Sequence, residues 1–163
     1  MESIETLISD NEGNHLVVVL YFYDYSDKSN TFQIPDGFSD LDIADISIRK
    51  LDLDKPLALG ALYRMCNWLM EQLMLFPNAV FSFLCSFDPL KTHHRGLAPE
   101  QYRWLLFERL SQRYQPQLEK AGINTQELIV GPEGFRTYAK VFYRDRHSPI
   151  IHIVVSNLTS KYS

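Results

Sequence analysis

Ala79-Val80-Phe81-Ser82-Phe83-Leu84-Cys85 decides the fold. It is an almost unbroken apolar run of strand length, with no alternation that would leave one face wet, so it reads as a central strand buried on both sides. Pro77-Asn78 breaks the chain before it and a polar loop from Asp88-Pro89 to Gly96 follows it.

Upstream of this strand lies a helix. Leu59, Leu62, Cys66, Leu69, Leu73 and Phe76 recur at spacings of three and four, with Tyr63 and Met70 widening the stripe. The helix is expected to begin near Asp54 and to tolerate Pro56 in its first turn, where an N–H has no intrahelical partner. Downstream lies a second helix, opened by Pro99 and Glu100 and directed inward by Tyr102, Leu105, Leu106, Leu110 and Tyr114. Gln115-Pro116 is expected to interrupt it, with one short helical turn to Gly122 beyond.

The N-terminal third has the composition of antiparallel strands. Ile4 to Ile8, the turn Asn11-Glu12-Gly13-Asn14 and the β-branched and aromatic segment Leu16 to Tyr23 form a hairpin. A short strand is expected at Thr31 to Ile34 and another at Ala44 to Leu51. After the second helix come Glu127 to Val130, the turn Gly131-Pro132-Glu133-Gly134, and Phe135 to Tyr143 in hairpin relation. Ile150 to Val155 is β-branched and reads as a last strand, with an amphipathic helix as the alternative. The order βββ(β)-α-β-α-βββ implies one α+β domain over residues 1–163, a mostly antiparallel sheet of about six to seven strands packed by two main helices. A chain of 163 residues, 45% hydrophobic, suits one such domain.

Composition narrows the function classes. The first residues are acidic and lack the basic and apolar regions of a signal peptide. No uninterrupted apolar run reaches the roughly 20 residues of a membrane span, so a cytoplasmic protein without membrane partners is expected. Cys66 and Cys85 sit in apolar patterns, which fits buried thiols in a reducing compartment, and no Cys-x-x-Cys pair suggests a zinc site. Net charge is −4, unevenly spread: residues 1–55 hold twelve acids against four bases, residues 56–163 eight acids against twelve bases. Such a split gives either complementary faces of one globule or a basic surface for an anionic partner.

Few residues suggest chemistry. Asp40, Asp42, Asp45, Asp52 and Asp54 lack the ordered spacing of a calcium loop, and no phosphate loop or Gly-x-Ser-x-Gly elbow occurs. Neither a metal nor another cofactor is therefore expected. The adjacent His93 and His94, with Arg95 and Arg103 to hold a phosphate, are the candidate catalytic residues of a metal-independent ribonuclease. Tyr102, Arg103, Arg109 and Arg113 on the second helix, with Arg144 and Arg146 after the late hairpin, form the candidate binding set. Trp104 and Tyr143 add rings that suit base stacking. The same residue types anchor protein interfaces.

The run Phe83-Leu84-Cys85-Ser86 followed by Asp88, the helix start Tyr102-Arg103-Trp104, and Lys140-Val141-Phe142-Tyr143-Arg144 before His147-Ser148-Pro149 resemble a family of small Bacteroidetes proteins with no agreed activity. The resemblance implies N-terminal hairpins, a long helix, a strand ending in an apolar-Cys-Ser step and a basic aromatic helix. It carries no catalytic residue across. The leading expectation is a protein-interaction or regulatory domain without catalysis, whose partner is another protein or a second copy. The alternative is a nucleic-acid-binding protein of the ribonuclease-like kind.

Overall fold

A computed structural model describes residues 2–24, 37–38, 40–50, 59–85, 99–130 and 137–162. Its strands are β1 (Glu2–Ser9), β2 (His15–Asp24), β3 (Asp42–Lys50), β4 (Ala79–Cys85), β5 (Ile123–Val130) and β6 (Thr137–Arg144). Its helices are α1 (Leu59–Leu75), α2 (Pro99–Lys120) and α3 (Ile151–Tyr162), and a 3-10 turn, Asp145–Ile150, joins β6 to α3. The six strands form one sheet in the order β1-β2-β3-β4-β6-β5. Only β3 and β4 run parallel, as the intervening α1 crossover requires. The α+β class and the general order of elements match the sequence reading.

β4 lies inside the sheet, between β3 and β6, and its registers are Ala44↔Phe81 on one side and Phe81↔Phe142 on the other. Val80 and Phe81 are both fully buried. The alternation of the strands separates two cores. On the near face Leu16, Val18, Leu20, Ala44, Ile46, Phe81, Phe83 and Phe142 pack under Met65, Leu69 and Leu73 of α1 and Leu110, Tyr114 and Leu118 of α2. On the far face Ile43, Val80 and Val141 pack with Leu41 and with Ile150, Ile151 and Val154.

Local chemistry fixes the turns. Asp10 folds the β1–β2 connection by accepting, at 2.9 Å each, from the backbone N–H of Glu12, the backbone N–H of Asn14 and the Asn14 side-chain amide. Gly13 supplies the left-handed conformation there, φ 85°. Gly122, φ 74°, ends α2, and its N–H donates to the carbonyl of Glu119 at 3.0 Å.

Two expectations are corrected. Ile150 to Val155 is not a strand but follows the helical alternative: Ile150 closes the 3-10 turn and Ile151 opens α3. Ile150, Ile151 and Val154 fall on one side of the coil at near-helical spacing, and burial against Val80 and Val141 outweighs the β-propensity of branched side chains. Pro116 does not interrupt α2, which runs through it to Lys120. Pro116 is exposed, so the N–H that it lacks falls on the solvent side of the helix, away from the core. The expected strand at Thr31 to Ile34, the helix start near Asp54 with Pro56, and the turn Gly131 to Gly134 lie outside the described residues. The strand expected over Ala44 to Leu51 spans Asp42–Lys50.

Candidate functional site

The basic set divides between the two ends of the sheet. α2 leaves the carboxyl end of β4 and returns to the start of β5, so its first turns and its last turns lie at opposite ends, about 30 Å apart at 1.5 Å per residue. Tyr102 and Arg103 occupy the first turns; their side chains lie outside the described residues, as do His93, His94 and Arg95 altogether. Arg109 and Arg113 are exposed on the middle of α2. The guanidinium carbon of Arg113 stands 4.4 Å from the centre of the Tyr63 ring on α1, a cation–π contact between helices. Beside it the Tyr114 hydroxyl, buried at the interface, donates to Asn67 Oδ1 at 2.9 Å and to the Tyr63 carbonyl at 3.3 Å. These contacts tie α2 to α1.

Arg144 and Arg146 sit at the other end, where β6 finishes. The Arg144 guanidinium donates to the carbonyl of Leu73 and that of Arg146 to the carbonyl of Pro77. Leu73 lies among the last four residues of α1, whose carbonyls have no intrahelical partner, so Arg144 works as a C-terminal cap supplied by a neighbouring strand. Partial burial, and then the neighbouring Arg146, hold Arg144 below the usual arginine range. Tyr143, a candidate for base stacking, packs partly buried against the far-face core.

Lys140 has a third role. It reads in the sequence as one more surface base, yet it is buried on the near face of β6 and bonds Glu108 Oε2 of α2 at 3.2 Å and Glu127 Oε1 of β5 at 3.4 Å. Glu127 stands directly opposite it in register. Burial, then the hydrogen bond from the Glu127 side, raise the pKa of Glu108, and Lys140 opposes that rise. The sequence signal for this cluster was faint: Glu127 and Lys140 meet only once the hairpin register is known, and Glu108 only once α2 is docked.

His147, in the 3-10 turn, is 1% exposed and neither ring nitrogen has a hydrogen-bond partner. Burial, followed by the positive charges of Arg146 and Arg144, lowers its pKa to about 4, while Asp40 acts the other way. It is a neutral imidazole held in an apolar core.

Among the described residues Leu7 on β1 and Ile129 on β5 are exposed large apolar side chains, and two more lie side by side elsewhere. At the end of α1, Met74 is 56% and Leu75 67% exposed. With Met70, Glu71 and Gln117 of α2 they line an open groove between the two near-face helices. Asp45 of the acidic N-terminal third accepts a hydrogen bond from the buried Ser82 hydroxyl opposite it, joining β3 to β4. Among the described residues no three His, Cys, Asp or Glu side chains converge as a metal site, and no helix is long and apolar enough to cross a membrane. Compared with protein-family models, with curated proteins and with solved structures, the chain matches none.

Proposed function

We propose that the protein is a small cytoplasmic protein-interaction or regulatory domain without catalysis, and that the groove of Met70, Met74, Leu75 and Gln117 receives its partner. The observation that carries this reading is the outward exposure of Met74 and Leu75, adjacent large side chains at the end of a helix whose Met65, Leu69 and Leu73 are buried. Large exposed side chains of this kind mark contact surfaces when they cluster, and methionine adapts its unbranched chain to varied shapes. The basic residues favour this reading over nucleic-acid binding, because Arg144, Arg146 and Lys140 are engaged within the fold. Phosphate neutralisation needs several cations turned outward. The buried free thiol of Cys66 suits a reducing compartment.

The test compares wild type with Met74→Glu/Leu75→Glu after isolation from the source cells, using native mass measurement. A stoichiometric protein companion, a second copy included, should accompany the wild type and be lost from the folded variant. Retention by the variant overturns the reading. So does co-purified RNA whose affinity falls steeply as salt is raised, which would favour the ribonuclease-like alternative built on His93, His94, Arg95 and Arg103.

A further inference from the structure

The groove at the end of α1 carries sulfur. Met70 and Met74 are one helical turn apart and both line it. Met74 is 56% exposed and Met70 partly buried, whereas Met65, earlier on the same helix, is 2% exposed. One helix thus holds an open and a closed methionine.

A thioether has no proton to lose, so an accessible methionine is open to oxidation by hydroperoxides at neutral pH. A thiol reacts as its thiolate. Cys66 is buried, and burial pushes its pKa up to about 11, so it stays a neutral thiol. The side chain of Cys85 lies outside the described residues. Among the described residues the sulfur most open to a dissolved oxidant is that of Met74. In the reaction its lone pair attacks one peroxide oxygen, the O–O bond breaks as the S–O bond forms, and the departing oxygen takes up the proton and leaves as water. Sulfur gives up two electrons and the peroxide accepts them. The product is a sulfoxide, a polar group that water solvates. A partner seated on Met74 would strip that hydration, and the apolar side chains of Met70 and Leu75 beside it cannot replace it.

We propose that Met74 is a modification site for small hydroperoxides and that its sulfoxide closes the groove to the protein partner. This regulation rests on the interaction reading. It is reversible, because two thiols of a sulfoxide reductase remove the oxygen as water, become a disulfide and restore the thioether. The test treats the full chain with hydrogen peroxide, maps sulfoxide by peptide mass spectrometry and titrates the companion by native mass measurement. Met74 should oxidise about tenfold faster than Met65, and the oxidised wild type should bind about tenfold more weakly until a sulfoxide reductase restores it. Met74→Leu keeps an apolar side chain of similar size and should hold the companion before and after treatment, which separates Met74 from Cys85 and every other oxidisable group. Where Met74→Glu/Leu75→Glu has lost the companion, three results would each overturn the regulation alone: Met65 oxidised as fast as Met74, oxidised wild type binding undiminished, or treated Met74→Leu losing the companion as the wild type does. If that charged variant keeps the companion, the interaction reading falls and the regulation falls with it.

Discussion

The basic side chains and the apolar end of α1 make opposite use of the surface. Arg144 and Arg146 spend their donors on the carbonyls of Leu73 and Pro77, Lys140 lies between two carboxylates, and Arg113 stacks on Tyr63. Met74 and Leu75, which could have been buried, are turned outward. Among the described residues, these four bases therefore hold elements of the fold together. Of the candidate binding residues, Arg109 and Arg113 stay exposed on α2, and the end of α1 adds an apolar exposed pair. The lesson is that residue type alone misplaces the surface: bases were taken up by structure, and core-type residues were left outside.

Beside Arg144 and Arg146, the buried His147 has no hydrogen-bond partner for either ring nitrogen, and its protonation should have the largest effect. Its folded pKa lies below its ordinary value, so the unfolded chain binds the proton first. Its contribution is present above pH 6.5 and is lost as pH falls toward 4. A shift of that size corresponds to about 3 kcal/mol, by the rule that one unit is worth about 1.4. Urea unfolding measured from pH 7 to pH 4 should show that loss in the wild type, and His147→Leu should remove it. An unchanged profile in the variant would show that His147 is not the titrating group.

Lys140→Met should come next, at about 2 kcal/mol, because it leaves two carboxylates together at a partly buried site. Adding Glu108→Gln and Glu127→Gln to the same chain should recover most of the loss, and failure to do so would separate Lys140 from the carboxylates. Arg144→Ala should cost about 1 kcal/mol and speed amide exchange in the last turn of α1, since the Leu73 carbonyl loses its donor. Loss without a local change in exchange would contradict the cap. Glu108→Gln alone should have the smallest effect. The raised pKa of Glu108 means its protonated form suits the fold, so its contribution is present below the ordinary carboxylate range and declines as pH rises through the raised value. The glutamine variant should flatten that decline in a thermal-unfolding series.

The sequence made the sheet legible where burial was two-sided. The run Val80-Phe81 could only be an interior strand, and the three-and-four spacing of Leu69, Leu73 and their neighbours could only be a helix facing that sheet. It was less legible where tertiary packing chose between two states. Ile151 and Val154 have the branched side chains of a strand, and their helical conformation depends on a far face that local sequence does not describe. Pro116 likewise looked like an end because its ring is incompatible with a preceding bond, but an exposed position tolerates that defect. The basic residues stand out in the sequence by type, but not their partners, which are backbone carbonyls and carboxylates distant in sequence: Arg144 and Leu73, Lys140 and Glu108. Periodicity reports the face of a helix, never what arrives from another element to meet it.

We propose that the apolar end of α1, and not the arginines of α2, makes the external contact. The affinity of the isolated companion for two variants, Met74→Glu/Leu75→Glu and Arg109→Glu/Arg113→Glu, distinguishes the two surfaces. A loss on the order of a hundredfold or more is expected for the first, as removal of interface anchors gives, and less than about threefold for the second. A groove variant that binds like the wild type, beside an arginine variant that has lost binding, would contradict it.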